Sequence, residues 1–374
     1  MAARKWCSHF IIIPIFKLFM IKRLVDILSK VGLGPFFFLM IGVIFLAWIY
    51  PPVGIEESPL HLPLIAGYGV SVIFFFYGAK LSPESLLSGL SKWRLHLMVQ
   101  LSTFVLFPLV IIGLRSIFKE YFSTNIGLGI FYLAALPSTV SSSIVMVSIA
   151  RGNIAAAIFN ASISSILGIF ITPLLMSTVL GKTETGFDIG HTILLLCLQV
   201  LLPVIVGLLL HSKLGEWVSR YKKTLGYFDQ LIILLIVYTS FCESFSGHMF
   251  DHFKISEIVI LGAIMVSLFL VVFGLMNQIS IWLKFKREDR IAVIFCGSKK
   301  SLVQGAVMGK VLFPDQAVLG VVLLPLMLYH ALQLMVGSTI AKVMGRKADQ
   351  ALEVVVNPSG GIVTGRETQP AKQL

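Results

Sequence analysis

The sequence predicts an all-α membrane protein with ten transmembrane helices, and three observations support this fold class. Of the 374 residues, 57% are hydrophobic and 13% are charged, a composition that excludes an ordinary soluble domain. Apolar segments of 17–28 residues recur along the whole chain, each long enough to cross a hydrocarbon core about 30 Å thick. The basic residues between these segments also alternate from abundant to sparse, as in loops on the two sides of a membrane.

The ten predicted spans follow one another with short connections. They are residues 34–50, 62–81, 93–118, 126–150, 154–180, 191–210, 225–246, 256–283, 291–313 and 317–344. Residues 1–33 are predicted to form a cytoplasmic N-terminal segment, whose short apolar stretch either is an interfacial helix or precedes a translation start at Met20. Residues 345–374 are predicted to be a disordered cytoplasmic tail.

The distribution of charge predicts the orientation of these spans. Counted with a cytoplasmic N-terminus, the inner loops and termini carry 22 Lys and Arg residues, and the outer loops carry 5. This positive-inside bias and the even number of spans predict that both termini are cytoplasmic, in an integral protein of the inner or plasma membrane. The net charge of +12 is therefore explained by topology, and no nucleic-acid partner is expected.

The number of spans predicts an internal repeat. Residues 34–180 would form a first five-span repeat, residues 181–190 a connecting loop, and residues 191–344 a second five-span repeat. Because five is odd, the second repeat would insert upside down relative to the first, and such transporters bind their substrates where one span of each half is discontinuous. The fourth and ninth spans occupy equivalent positions, and both are interrupted.

The break in the fourth span begins at Pro137, which lacks a backbone N–H, and continues into a cluster of serines. Three of these serines are assigned to a substrate or ion site: Ser141, Ser142 and Ser143. The alternative for the cluster is close packing between helices, where small residues are common. The interruption at the matching place in the ninth span favours a binding site.

The break in the ninth span contains Lys299 and Lys300. At 1.5 Å per residue they lie about 14–15 Å from either end of the span, too far to reach the membrane surface by snorkelling. A charge at this depth costs at least about 2.5 kcal/mol, so such residues are read first as functional. On a helix the two side chains would point about 100° apart, which predicts different roles for them.

Further polar residues in the spans are assigned to the same substrate or ion site. They are Asn160, Ser298, Ser301, Gln304, His330 and Gln333. His330 is either a packed hydrogen-bonding residue or a ligand for a proton or substrate. Glu243 is either a carboxylate at the membrane interface or a gating residue and partner of a lysine. The four cysteines have no metal-ligand spacing, and no metal site is predicted.

Several short stretches of the chain are similar to those of a known transporter family. They are residues 152–153, 155–160, 168, 171–175, 238–239, 241–242, 294–296, 300–302, 329–330 and 333, within a region of similarity from about residue 34 to 342. They resemble the bile acid:sodium symporter family, solute carrier family 10, and most closely the branch of its seventh member and the bacterial proteins grouped with it. The resemblance implies two inverted repeats, a core domain of spans three to five and eight to ten, and a panel domain of the other four. It also implies that spans four and nine cross at their breaks and that transport proceeds by alternating access.

The chain departs from the sodium-coupled members of that family at the positions of the ion ligands. Those members bind two sodium ions and move an organic anion such as a bile acid. Their ligand residues correspond here to Thr103, Ser143, Ile144, Ala157, Ala161, Cys296 and Lys300. Cys296 replaces a Glu that bridges both sodium sites, and Lys300 replaces a Gln ligand. Thr103 stands where a Gln lies five residues before a proline, and it keeps a possible gating or ion role.

These departures lead to the hypothesis that the Lys300 ammonium occupies the space and charge of a lost sodium ion. Removing a carboxylate and adding an ammonium makes a second cation there unfavourable. Transport would then be independent of sodium, or coupled to protons through Lys300 or His330.

The sequence thus predicts a secondary active transporter of a small organic anion, acting as a monomer or homodimer in the lipid bilayer without a cofactor. The alternative, which the family branch suggests, is a membrane regulator of calcium homeostasis with little or no transport of its own. An enzyme is not predicted, because no nucleotide-binding loop, zinc motif or nucleophile elbow is present.

Overall fold

The computed structural model describes residues 35–80, 92–117, 124–180, 194, 197–251 and 254–356. Within these ranges the chain is helical and contains no strand. The α-helices are α1 (Pro35–Ile49), α2 (Leu62–Ala79), α3 (Trp93–Leu101), α4 (Phe107–Ile117), α5 (Asn125–Ala135), α6 (Ser141–Ile149), α7 (Ile154–Leu180), α8 (Leu202–Leu209), α9 (His211–Arg220), α10 (Lys222–Ser246), α11 (Ile255–Trp282), α12 (Arg287–Gly297), α13 (Leu302–Leu312) and α14 (Gln316–Val356). The predicted segments 1–33 and 181–190 lie outside the described residues.

Seven helices or helix pairs within the described ranges are long and apolar enough to cross a membrane. They are Leu62–Ala79, Trp93–Ser116, Ile154–Leu180, Lys222–Ser246, Ile255–Trp282, Arg287–Leu312 and Gln316–Lys347. An eighth is formed if Leu198–Leu209 and His211–Arg220, which meet at a 96° bend, count as one span. The predicted first span is the 15-residue α1, and the predicted fourth span is divided into the short helices α5 and α6. An integral membrane protein is therefore confirmed, and the arrangement in ten spans stays a prediction.

The C-terminal boundary differs from the prediction. The last helix, α14, continues to Val356, although residues 345–374 were expected to be disordered. Residues 346–356 contain alanine, lysine, glutamine, leucine and glutamate, which favour helix, and no glycine or proline. The apolar segment thus ends before the helix does. The remaining residues of the expected tail, 357–374, lie outside the described part of the chain.

Both interruptions predicted from the sequence are present. Helix α5 ends at Ala135 and α6 begins at Ser141, while α12 ends at Gly297 and α13 begins at Leu302. Ser301 caps the start of α13, because its Oγ accepts a hydrogen bond from the Gln304 N–H at 3.3 Å. Lys299 and Lys300 lie in the break, as predicted, since residues 299–301 have no helical structure, and the 100° separation expected on a helix does not apply to them.

The interrupted pair α12–α13 is the centre of the molecule. Of its membrane-length window, 94% is buried, compared with 28% for the neighbouring α11. Helix α12 packs against α3, α6, α7 and α11, and α13 packs against α10 and α14. On another side, α10 contacts α1 and α2, and α2 contacts α8. The break in α12–α13 is therefore enclosed by other helices and shielded from lipid.

Candidate functional site

The two breaks meet directly at their centres. The Ser301 N–H donates to the Pro137 carbonyl at 2.9 Å. Ser138 Oγ donates to the Cys296 carbonyl at 2.6 Å, and Ser143 Oγ donates to the Phe295 carbonyl at 3.2 Å. Backbone groups that a continuous helix would have satisfied internally are thus satisfied between the two broken spans.

Lys300 lies at this meeting point and is fully buried. Its Nζ donates to three backbone carbonyls, those of Thr103, Ala134 and Leu136, each at 2.7 Å. The same Nζ lies 4.2 Å from the centre of the Phe107 ring, a distance suited to a cation–π contact. An ammonium has three protons to donate, and all three are used. The surroundings of this nitrogen are those of a cation held by carbonyl oxygens.

The Thr103 carbonyl is available because of a local π-helix ahead of a proline. Residues Ser102–Leu106 form a π-helical turn, in which the Phe107 N–H bonds to the Ser102 carbonyl instead of that of Thr103. In this register the next N–H would serve Thr103, but residue 108 is proline and has none. The Thr103 carbonyl is therefore left without a helical partner. Its hydroxyl group bonds to the Val99 carbonyl at 2.8 Å and does not face the lysine.

The other two carbonyls come from the end of α5. The Ser138 N–H, which would serve the Ala134 carbonyl in a continued helix, donates to Ser164 Oγ at 2.9 Å. The intervening Ala135 carbonyl accepts from Thr172 Oγ1 at 2.8 Å. The carbonyls of Ala134 and Leu136 remain for Lys300. Because the C-terminal end of a helix carries a partial negative charge, this end of α5 favours a cation.

The break in the ninth span satisfies its own carbonyls in a different way, with hydroxyl groups. Besides the bonds from Ser138 and Ser143, Ser102 Oγ donates to the Gly297 carbonyl at 2.8 Å, and Tyr329 OH donates to the Ser298 carbonyl at 2.7 Å. Ser298 Oγ turns back to the Ile294 carbonyl at 2.7 Å. The two breaks are therefore not equivalent: one presents carbonyls to an ammonium, and the other is closed by neutral donors.

Gln333 holds the backbone of Lys300 in place. Its Oε1 accepts from the Lys300 N–H, and its Nε2 donates to the Lys300 carbonyl, both at 2.9 Å. The same Nε2 lies 3.0 Å from His330 Nδ1. Gln333 and His330 are thus brought to the site, but Gln333 acts on the backbone of the break through both ends of its amide.

Lys299 is also fully buried and points elsewhere. Its Nζ donates to the Ser142 carbonyl at 3.0 Å and lies 2.6 Å from Met146 Sδ, with the Phe295 ring centre at 5.6 Å. The two neighbouring lysines therefore contact opposite parts of the fourth span, Lys300 the end of α5 and Lys299 the start of α6. The two lysines therefore have different partners, and their different roles stay a prediction.

Gln304 lies in the first turn of α13 and is 5% exposed. Within the described residues, neither its amide oxygen nor its amide nitrogen has a hydrogen-bond partner. A buried unpaired amide costs free energy, so its presence calls for an explanation such as a ligand or water.

Among the described residues, no side chain caps the start of α6, where Ser141 is exposed.

Two of the assigned residues lie apart from the crossing. Asn160 accepts a long hydrogen bond, 3.4 Å, from Gln100 Nε2 and donates to the Ala156 carbonyl at 3.0 Å, so it joins α7 to α3. Glu243 lies near the end of α10, where its Oε1 accepts from the Glu56 N–H at 2.6 Å. Glu243 thus binds a loop backbone, and the lysine with which it interacts electrostatically is Lys310, not Lys299 or Lys300.

Several residues at the crossing were not assigned to the site from the sequence: Ser102, Ser138, Met146, Ser164, Thr172 and Tyr329. Ser138 directly follows Pro137 and could have been assigned with its neighbours. Thr172 and Tyr329 lie in stretches that carry the family resemblance, and no local pattern marks Ser102, Met146 or Ser164. The described residues contain no group of three or more metal-ligating side chains.

Comparison with known proteins agrees with the resemblance drawn from the sequence. The model of the SBF-like CPA transporter family matches residues 34–346. A protein of Pseudomonas aeruginosa, named as uncharacterized, is 40% identical over 315 residues, which cover 83% of this chain and 93% of that protein. The putative symporter YfeH of Escherichia coli is 39% identical, covering 85% and 95%.

A vertebrate relative extends the same similarity. Sodium/bile acid cotransporter 7 of Danio rerio is 34% identical over 303 residues, covering 80% of this chain and 89% of that protein. The relatives with functional names are thus a symporter and a cotransporter, which confirms a membrane transporter of a small solute and not an enzyme. The similarity to the branch of the seventh family member is confirmed as well. The chain belongs to the SBF-like CPA transporter family.

Proposed function

We propose that this protein is a secondary transporter of a small organic anion in which the Lys300 ammonium takes the place of a bound sodium ion. The observation that carries the proposal is the set of three 2.7 Å hydrogen bonds from Lys300 Nζ to backbone carbonyls at the crossing of the two breaks. Carbonyl oxygens converging on one point are the ligands that alkali ions take at discontinuous helices. Here the lysine fills that point.

The composition of the site supports independence from sodium. A sodium ion at the crossing would meet the Lys300 charge without the bridging Glu of sodium-coupled members, because Cys296, a buried free thiol, occupies that position. Repulsion between two unit charges a few ångströms apart is large in a poorly solvated site. All three protons of the Lys300 ammonium are engaged, which favours a static charge over a proton carrier. Any proton coupling is therefore assigned to His330.

An anionic substrate is supported by the charges that remain. Helices α6 and α13 both begin at the crossing. The N-terminal end of a helix carries a partial positive charge and N–H groups without a helical partner. The Lys299 ammonium is beside the start of α6, and the unpaired amide of Gln304 is in the first turn of α13. A carboxylate, sulfate or phosphate ester would match these donors.

We also propose the family arrangement for the whole chain: ten spans in two inverted repeats, with a core domain and a panel domain and both termini in the cytoplasm. The contacts that support it are those of α10 with α1 and α2, that of α2 with α8, and those of α12 with α3, α6, α7 and α11. The first set corresponds to the panel spans and the second to the core spans. Cell-membrane location follows from the positive-inside bias.

Reconstituted protein tests the function. Thermal-shift screening against organic anions would first find a compound that stabilises the purified protein, and uptake of this compound would then be measured in proteoliposomes. We expect equal uptake with sodium or potassium outside, and at least a tenfold loss in Lys300→Ala but not in the exposed control Lys222→Ala. An imposed pH gradient, with and without His330→Gln, tests proton coupling.

Two results would count against the proposal. Uptake that depends steeply on sodium and survives Lys300→Ala would show that the ion site is intact and that the lysine is not its substitute. Failure of every anion to stabilise the protein or to be taken up would favour a regulatory membrane protein without transport.

A further inference from the structure

An open apolar groove lies between the third span and α11. Its volume is about 740 Å³. One wall is a stripe formed by Leu97, Leu101, Val105 and Leu109. The opposite wall includes Ile279 of α11 and Leu283, which directly follows that helix. The side chains of the stripe are exposed, and their exposed fraction ranges from 44% at Val105 to 58% at Leu109. Because these helices cross the membrane, the groove opens to the hydrocarbon.

The length of the groove suits one leaflet of a bilayer. From Leu97 to Leu109 the helix rises about 18 Å at 1.5 Å per residue. Half of a hydrocarbon core of about 30 Å is about 15 Å. The groove therefore runs from the surface of the membrane to roughly its midplane, which is the depth of one acyl chain.

One end of the groove is positively charged. Arg94 and Lys284 line it there, both side chains are exposed, and the described lining residues include no carboxylate. The Arg94 guanidinium lies 5.6 Å from the Trp93 ring centre, and tryptophan is typical of the membrane–water interface. The charged end is thus at headgroup level.

Lys284 adopts an unusual backbone conformation. Its φ of 55° is left-handed, and it ends α11 with hydrogen bonds from its own N–H to Ile281 and from the Phe285 N–H to Ser280. This is the helix ending at which glycine is usual, and a side chain there costs about 1 kcal/mol. The Lys284 charge thus lies at the C-terminal end of α11, where a cation is favourable.

We propose that this groove binds an anionic phospholipid, with the phosphate between Arg94 and Lys284 and an acyl chain along the leucine stripe. The positive-inside bias places this end on the cytoplasmic side, where anionic lipids attract basic residues at the membrane surface. The proposal concerns lipid recognition and does not depend on which solute is transported.

The groove also contacts the break in the ninth span. Ser102 and Met276 line its floor, and Ser102 Oγ donates to the Gly297 carbonyl at 2.8 Å. Met276 Cε lies 3.0 Å from the point where a Cβ on Gly297 would stand. A lipid chain in the groove therefore rests on the two side chains that pack against the end of α12.

Lipid-dependent stability of the purified, delipidated protein tests the proposal. Phosphatidylglycerol and phosphatidylcholine with the same chains would be added in a neutral detergent. We expect phosphatidylglycerol to raise the melting temperature by about 5 °C more than phosphatidylcholine. The double variant Arg94→Gln/Lys284→Gln should lose this difference. A matched variant of exposed cations elsewhere, Lys222→Gln/Lys223→Gln, should keep it.

Two further arms separate the lipid from simpler explanations. Glycerol phosphate, which has the anionic group but no chains, should give no shift. Native mass spectrometry of the wild-type protein with both lipids at equal concentration should retain phosphatidylglycerol at least tenfold more often, and this arm needs no variant. Equal retention of the two lipids, a full shift with glycerol phosphate, or an unchanged difference in Arg94→Gln/Lys284→Gln would each overturn the proposal.

Discussion

The Lys300 ammonium donates hydrogen bonds to carbonyls that have no N–H partner within a helix. Its ammonium serves carbonyls left free by Pro108, by the end of α5 and by the bond between Ser138 and Ser164. A buried charge is tolerated only when it is fully hydrogen-bonded, and this one is. The neighbouring Lys299 has one carbonyl and one thioether as partners. Its ammonium is therefore less fully hydrogen-bonded than that of Lys300.

Neutral substitutions at the two lysines should therefore differ. Lys300→Met leaves three buried carbonyls without a donor, at about 1–3 kcal/mol each. Lys299→Met leaves one. We expect Lys300→Met to lower the melting temperature of the purified protein clearly more than Lys299→Met does. Equal losses would show that the three carbonyls do not depend on the lysine.

The two glutamines of the site are expected to separate stability from function. Gln333→Leu removes both hydrogen bonds to the Lys300 backbone and should destabilise the protein by about 2 kcal/mol or more. Gln304→Leu removes an amide with no partner among the described residues, so its melting temperature should be equal to or above that of the wild type. Substrate binding during uptake should nevertheless weaken, which would appear as a higher KM in proteoliposomes. A Gln304→Leu variant with normal uptake would exclude Gln304 from the substrate site.

At the scale of helices, the positions of the breaks could be predicted from the sequence, but their chemistry could not. Pro137 with its serines and the polar run at 297–301 interrupt otherwise apolar segments, and the structure interrupts the helices there. The π-helical turn at Ser102–Leu106 was not predicted, because Pro108 alone does not determine which carbonyl is released. The partners of Lys300 come from residues about 160–200 positions away, and local pattern carries no information on such contacts.

The ends of the helices were also not fully predictable from local sequence. The hydropathy of residues 317–344 predicts a membrane span, but helical structure continues into a polar segment that was expected to be disordered. Glu243 accepts a hydrogen bond from the Glu56 N–H and also interacts electrostatically with Lys310, and the sequence predicted neither partner by name. Residue type suggested a role in each case, and three-dimensional position determines the partners.

A pair of glycines tests how tightly α12 is packed at its end. An alanine Cβ at Gly297 would meet Met276 Cε at 3.0 Å and Ser102 at 3.3 Å, so both side chains would have to move. A Cβ at Gly274 of α11 would meet nothing within 4 Å. We expect Gly297→Ala to destabilise by about 1–3 kcal/mol and Gly274→Ala to be neutral or stabilising by up to about 1 kcal/mol. Thermal unfolding in the same detergent compares them, and a tolerant Gly297 would mean that the end of α12 is loosely packed.

For the whole molecule, burial separates the helices into those that face lipid and those that build the site. The window of α12–α13 is 94% buried, whereas that of α11 is 28% buried and borders the proposed lipid groove. Composition, the length of the apolar segments and the alternation of basic residues were sufficient to predict an all-helical membrane protein. The proposal that the Lys300 ammonium takes the place of a sodium ion rests on its position in the family and on its three carbonyl partners, not on composition.

Sodium-dependent stability tests this central claim most directly. The variant Cys296→Glu/Lys300→Gln restores the residue types found at these positions in sodium-coupled relatives of the wider family. We expect the melting temperature of the wild type to be the same in sodium chloride and potassium chloride of equal concentration. The double variant should melt a few degrees higher in sodium than in potassium, as binding to the folded state requires. A wild-type protein that sodium stabilises as much as it stabilises the double variant would contradict the account.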